Sequence, residues 1–271
     1  MTDQATPTRP QNAGAERIEQ AIRGTKRRAA LMPYMMGGYP DLATSVEIGK
    51  ACAAGGADLI ELGIPYSDPL ADGPVIQAAG TVALDNGATF DGVLGVCREL
   101  SALLPVVVMT YANIVQARGA EAFCASLVAA GASGAIVPDL PPEESGELLA
   151  HADRAGLALV PLIAPTTPDD RLSLVGARAR GFLYTVSVTG ITGERSGSSA
   201  YQEVIDRARR ATDVPVALGF GISTGEQARA AADAGADGVI VGSMLVRLAG
   251  GPDPIAAVRA AVQQLADGLD R

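Results

Sequence analysis

One phrase is written three times along this chain: Ala53-Ala54-Gly55-Gly56-Ala57-Asp58-Leu59-Ile60, Ala129-Ala130-Gly131-Ala132-Ser133-Gly134-Ala135-Ile136 and Asp233-Ala234-Gly235-Ala236-Asp237-Gly238-Val239-Ile240. Each reads as the end of a helix, a glycine cap and the start of a strand. A second phrase, Leu104-Pro105-Val106-Val107-Val108, Val160-Pro161-Leu162-Ile163 and Val214-Pro215-Val216-Ala217-Leu218, opens strands with a proline at the first residue, where no ladder donor is required. The strands are short and apolar throughout, as in a parallel sheet buried on both faces. With the runs at 30–36 and 181–187 they make eight, near 30–36, 58–63, 105–110, 134–138, 157–163, 181–187, 214–219 and 237–241, with helical patterns between them. Eight alternating units predict an α/β fold, a (β/α)8 TIM barrel with an extra N-terminal helix at 14–24 placed to close the barrel floor. The competitor, a doubly wound open sheet, lacks the G-x-G-x-x-G expected after its first strand.

At 271 residues a barrel of this kind is one domain, expected over 15–271, and the polar stretch 1–14 with Pro7 and Pro10 reads as a disordered tail. Its 32 glycines and 17 prolines are scattered and form no linker. A net charge of −9 leaves no basic stripe for nucleic-acid phosphates. Lys26-Arg27-Arg28 precedes an apolar stretch, Ala29 to Met36, that is short, holds Pro33 and lies too far in for a signal peptide. No run reaches the length of a membrane span. Cys52, Cys97 and Cys124 are odd in number, widely spaced and set in helical patterns, which suits a reducing cytoplasm and neither a disulfide framework nor a metal knuckle.

In a barrel, the loops that follow the strands build the site, so Glu61, Asp68, Asp72, Asp139, Gly193, Gly221, Gly242 and Ser243 are expected at one mouth. Lys26 and Lys50 are the only lysines, and neither sits at a strand end, which removes imine chemistry. The one histidine, His151, falls on the helix after strand four and reads as a surface or packing residue; histidine-based metal sites and triads fall away with it. Carboxylates are left as the leading proton carriers, with Tyr34, Tyr111 and Tyr184 behind them. Glu61 stands inside the apolar run Asp58 to Ile64, where lost hydration should lift its pKa toward the working pH. Asp72, eleven residues on, is the second candidate, although Ala71-Asp72-Gly73-Pro74 is also turn chemistry. Asp68 reads as a turn or interface residue, and Asp139 as a turn residue or one that orients the loop after strand two.

Gly219-Phe220-Gly221-Ile222-Ser223 and Val241-Gly242-Ser243-Met244 follow strands seven and eight, the place where such barrels hold phosphate on main-chain N–H groups; tight turns are the plainer reading. The segment Val188 to Gly197 is small, polar and glycine-rich, in keeping with a mobile lid or with an ordinary loop.

The stretch Ile60-Glu61-Leu62-Gly63-Ile64-Pro65-Tyr66-Ser67-Asp68-Pro69-Leu70-Ala71-Asp72-Gly73-Pro74 resembles the signature of the tryptophan synthase alpha chain family. Tyr111-Ala112-Asn113, Pro138-Asp139-Leu140-Pro141, Tyr184 to Gly193, Gly219 to Ser223 and Val241-Gly242-Ser243 carry the resemblance from about Tyr34 to the C-terminal helix. It implies cleavage of indole-3-glycerol phosphate to indole and glyceraldehyde 3-phosphate, a retro-aldol reaction with no cofactor in this chain. Glu61 then matches the general acid/base that protonates the indole carbon and takes the glycerol hydroxyl proton. Asp72 matches the carboxylate that stabilises positive charge on the indole nitrogen. Thr192 matches a lid residue that positions Asp72, Tyr184 lies near Glu61, and Gly193, Gly221, Gly242 and Ser243 match phosphate-binding positions. Tyr34, Met109, Tyr111, Ile136 and Ile163 are implied to line the indole pocket, though as strand residues they also suit a plain core.

The resemblance further implies a beta-chain partner carrying pyridoxal phosphate in an alpha2-beta2 assembly, faced by Asp68 and by the loops after strands two and six. Two positions depart from the family pattern: Ser187-Val188-Thr189-Gly190 replaces a serine-arginine-serine-glycine lid, and Tyr34 and Tyr66 stand where phenylalanine is frequent. A phosphosugar isomerase on the same barrel and a non-catalytic, partner-binding subunit are the rival readings. The Glu61-to-Asp72 stretch argues against the first, and the intact carboxylates and phosphate glycines against the second.

Overall fold

The computed structural model describes residues 11–186, 198–219 and 221–270. The chain runs α1 (Ala13–Arg23), β1 (Ala30–Met36), α2 (Leu42–Ala54), β2 (Ile60–Gly63), α3 (Pro74–Asp85), α4 (Phe90–Ser101), β3 (Val106–Met109), α5 (Ala112–Arg118), α6 (Ala120–Ala129) and β4 (Gly134–Ile136). It continues α7 (Gly146–Ala155), β5 (Ala158–Val160), β6 (Leu162–Ile163), α8 (Asp169–Arg178), β7 (Leu183–Val186) and α9 (Ser198–Ala211). The last elements are β8 (Val216–Gly219), α10 (Gly225–Asp233), β9 (Gly238–Val241), α11 (Ser243–Ala249) and α12 (Pro254–Leu269).

All pairings are parallel, in the order β5-β4-β3-β2-β1-β9-β8-β7-β6. The first strand pairs with the last, Ala30 opposite Gly238, and the two ends of the order, β5 and β6, are consecutive pieces of one segment, which excludes the open-sheet alternative. The expected strand 157–163 is present as two pieces because Pro161 has no N–H to give the ladder. Its first half pairs with β4 and its second with β7, and the Pro161 carbonyl accepts from Tyr184 N at 3.1 Å, so the barrel shuts through the covalent chain. Pro105 and Pro215 act alike: each accepts a bond through its carbonyl, from Ile60 N at 3.0 Å and Leu183 N at 2.8 Å, and each lies just before the strand it was expected to begin.

Side-chain alternation splits the core in two. Leu31, Ile60, Leu62, Val106, Val108, Leu183 and Val239 face the helices. Ala30, Met32, Leu59, Val107, Ile136, Val160, Phe182, Ala217 and Ile240 fill the barrel, joined by Ala15, Ile18 and Ile22 of α1. The N-terminal helix therefore closes the floor with two fully buried isoleucines. Its start corrects the expected tail boundary. Asn12 is 2% exposed, its Oδ1 accepts from Ala15 N at 3.0 Å as the helix cap, and its Nδ2 donates to the Leu157 carbonyl at 2.9 Å, so residues 12–14 belong to the folded body. Cys52, Cys97 and Cys124 are buried on α2, α4 and α6. Among the described residues no helix is long and apolar enough to cross a membrane.

Candidate active site

Glu61 is the second residue of β2, opposite Tyr34 of β1 and Val107 of β3. Its neighbours Ile60 and Leu62 face the helices, so Glu61 and Gly63 face the barrel interior. Gly63 keeps room for a phenol: a Cβ there would lie 2.2 Å from the Tyr34 hydroxyl. Gly219 does the same across the barrel, where a Cβ would lie 2.5 Å from the Tyr184 ring. Two rings thus occupy the space that strand side chains would otherwise fill, and both line the same cavity as Glu61.

The result is a buried carboxyl. Glu61 is 2% exposed, and its Oε2 has no hydrogen-bond partner among the described residues. Burial, and then the negative charge of Asp72, push its pKa up to about 8. Asp72 sits in the loop between β2 and α3, its own pKa raised by burial to about 6, with a hydrogen bond from Tyr111 working against the rise. Tyr34 and Tyr184 are held neutral well above the ordinary tyrosine range, burial leading and the two carboxylates adding.

The Asp72 loop is held by main-chain bonds. Asp72 N donates to the Pro69 carbonyl at 3.1 Å, and Gln77 Nε2 donates to the Asp72 carbonyl at 2.8 Å. The Tyr111 hydroxyl accepts from Ala71 N at 3.2 Å, and its ring stacks on Tyr66 with centroids 5.1 Å apart. Tyr66 in turn accepts from Asn113 Nδ2 at 3.0 Å. Asp139 Oδ1 accepts from Ala112 N at 2.8 Å, fixing the start of α5 and with it Tyr111. Asp139 therefore acts on the loop after strand two at one remove. Asp68 accepts from Ser67 Oγ at 2.5 Å in an exposed turn.

A cavity of about 750 Å³ opens over these groups. Tyr34, Glu61, Asp72, Met109, Ile163, Tyr184, Gly221, Gly242 and Ser243 all line it, so strands β1, β2, β3, β6, β7 and the turns after β8 and β9 converge as expected. Two expected wall residues are elsewhere. Ile136 is fully buried in the barrel layer beneath, and Tyr111, 3% exposed, stands behind the Asp72 loop and not on the wall. Thr192, Gly193 and the Ser187-Val188-Thr189-Gly190 segment lie outside the described residues. His151 is on α7, its Nδ1 2.9 Å from Arg154, away from the cavity wall. Sequence reasoning missed Arg171, Arg178 and Arg247, which also line the cavity, because nothing in helical spacing marks which turn of a helix overhangs a barrel mouth.

A closed parallel barrel whose mouth holds a buried, protonatable glutamate beside a second carboxylate defines a class, the barrel enzymes that move protons with carboxylates. The family model described as tryptophan synthase alpha chain matches residues 21–267. A tryptophan synthase alpha chain of Synechococcus elongatus is 51% identical over 81% of this chain and 84% of its own length. A solved structure from Aquifex aeolicus is 41% identical with a TM-score of 0.87, covering 94% of this chain and 99% of that one. The alpha chain fold also recurs in the tryptophan synthase a2b2 complex of Pyrococcus furiosus, at 36% identity and a TM-score of 0.82 over 89% of this chain and 98% of that one. This chain belongs to the tryptophan synthase alpha chain family, lyases that cleave indole-3-glycerol phosphate to indole and glyceraldehyde 3-phosphate.

Proposed function

We propose that Glu61 and Asp72 are the groups through which this chain performs that cleavage. The observation that carries the reading is a buried glutamate and a second carboxylate lining one cavity, where burial lifts the two unequally, to about 8 for Glu61 and about 6 for Asp72. Near neutral pH, Glu61 is protonated and Asp72 ionised, which sets the order of events. Glu61 gives its proton to the indole carbon bearing the glycerol chain, and positive charge appears on the ring nitrogen, where Asp72 stabilises it. The Glu61 carboxylate then takes the proton of the adjacent glycerol hydroxyl. The carbon–carbon bond breaks, its electron pair returns to the ring, and indole and the aldehyde leave with Glu61 protonated again.

Gly193, Gly221, Gly242 and Ser243 hold the phosphate through main-chain N–H groups and the Ser243 hydroxyl, Thr192 positions Asp72, and Tyr34, Tyr184, Met109 and Ile163 enclose the ring. Tyr111 supports Asp72 from behind. Tyr111→Phe keeps the ring and loses the hydroxyl, so kcat should fall about tenfold, the loss of roughly one hydrogen bond, with KM little changed. The Asp72 titration should move upward with it, because the bond from Tyr111 lowers that pKa. An unmoved acid limb in the pH–rate profile would separate Tyr111 from Asp72.

The partner is a beta chain carrying pyridoxal phosphate, in an alpha2-beta2 assembly in the cytoplasm. It docks on the mouth, where Leu70 of the Asp72 loop is 90% exposed next to Asp68. The test is to incubate the purified chain with indole-3-glycerol phosphate, with and without a beta chain, and to measure indole. An isomerase or a binding module of the same fold releases none.

A further inference from the structure

The substrate carries a phosphate dianion into a cavity that already holds two carboxylates, in a chain of net charge −9. Main-chain amides offer it dipoles but no countercharge. Three cations line the cavity among the described residues, and two of them are engaged. Arg171 pairs with Glu143 at 3.0 Å, and Arg178 donates to the Pro142 carbonyl and to Ser145 Oγ. The Arg247 side chain has no hydrogen bond or ion pair with any described residue. It stands on α11 four residues after Ser243, which places the two on one helix face, and both line the cavity. Both lysines lie off the cavity wall, Lys50 paired with Glu47 on the outer helix α2.

We infer that Arg247 is a substrate-binding residue, the cation that meets the phosphate from the α11 side. This rests on the phosphate being seated at Gly221, Gly242 and Ser243. A guanidinium there neutralises part of the dianion in the ground state and the transition state alike, because the phosphate does not change during cleavage. It also offsets repulsion between phosphate and carboxylates as the substrate enters. Its effect therefore falls on KM and not on kcat.

The experiment compares Arg247→Met, Arg247→Lys and Arg247→Glu with the unaltered chain, measuring kcat, KM for indole-3-glycerol phosphate and inhibition by inorganic phosphate and by glycerol 3-phosphate. Arg247→Met should raise KM about tenfold, as for one lost charge-assisted hydrogen bond, and weaken inhibition by both anions to a similar degree with kcat within about twofold. Arg247→Glu should weaken both further, Arg247→Lys should recover most of the loss, and the rise of KM with salt should flatten in Arg247→Met. Unchanged KM and unchanged phosphate inhibition in both Arg247→Met and Arg247→Glu would overturn the inference. An unaltered chain that binds phosphate but yields no indole would instead fail the proposed function, and direct titration of phosphate into the unaltered and Arg247→Met chains would still decide the role of Arg247.

Discussion

Glu61→Gln is expected to abolish indole release and at the same time to make the protein more stable at neutral and alkaline pH. The amide keeps the shape of the side chain but can neither give a proton to the indole carbon nor take one from the glycerol hydroxyl. Since the same group serves both transfers, the loss should reach about 10⁴-fold, the upper end for a single acid/base group. Binding of glycerol 3-phosphate should survive, because the proposed phosphate seat, at the turns after β8 and β9, is left intact. The stability gain follows from the direction of the titration. Glu61 in the folded chain holds its proton up to about pH 8, while the unfolded chain releases it near 4.5. Across that window the folded state binds more protons, so stability falls as pH rises and stays low above it. A neutral glutamine removes the slope. Denaturant unfolding at pH 5 and pH 8.5 should show the two chains close at the lower pH and the variant ahead by a few kcal/mol at the higher. An equal gap at both would mean that Glu61 is not held in a dry site.

Asp72→Asn is the second large effect, and its signature is in the pH profile as much as in the rate. The unaltered chain should show a bell: activity needs the Asp72 and Glu61 pair to carry one proton, on Glu61, which holds between about pH 6 and about pH 8. Removing the carboxylate proposed to stabilise charge on the ring nitrogen should cost about 10² to 10³ in kcat, the scale of one electrostatic stabiliser in a water-poor site. The acid limb should vanish. The alkaline limb should also move to lower pH, since the charge of Asp72 is the second cause of the raised Glu61 pKa. Asn cannot restore either limb. A variant that kept both limbs in place would show Asp72 to be a turn residue only.

Much of this site is legible in the chain because strand periodicity and lost hydration are local properties. Glu61 can be picked out because an ionisable group sits in an apolar strand, and the turns after β8 and β9 can be paired because eight strands can be counted. The count itself rests on the repeated glycine-capped and proline-opened phrases, and the prolines also explain why some strand bounds shift: Pro105, Pro161 and Pro215 bond through their carbonyls alone, so they flank or interrupt strands instead of starting them. What was hidden depends on contacts between distant segments. Tyr111 shares the strand-end address of a pocket residue, yet its hydroxyl is taken by Ala71 N, forty residues earlier in the chain. Ile136 alternates correctly toward the interior but lies one layer too deep. Asn12 looks like part of a polar tail until the Leu157 carbonyl is seen to need it.

Sealing one end of the barrel also fixes the route of traffic. With Ile18 and Ile22 stoppering the base and Met32, Val107 and Phe182 packed with them, a hydrophobic product freed at the mouth meets no passage downward among the described residues. Its departure is confined to the rim that admitted the substrate, so a receiving protein can collect it without dilution only by capping that rim.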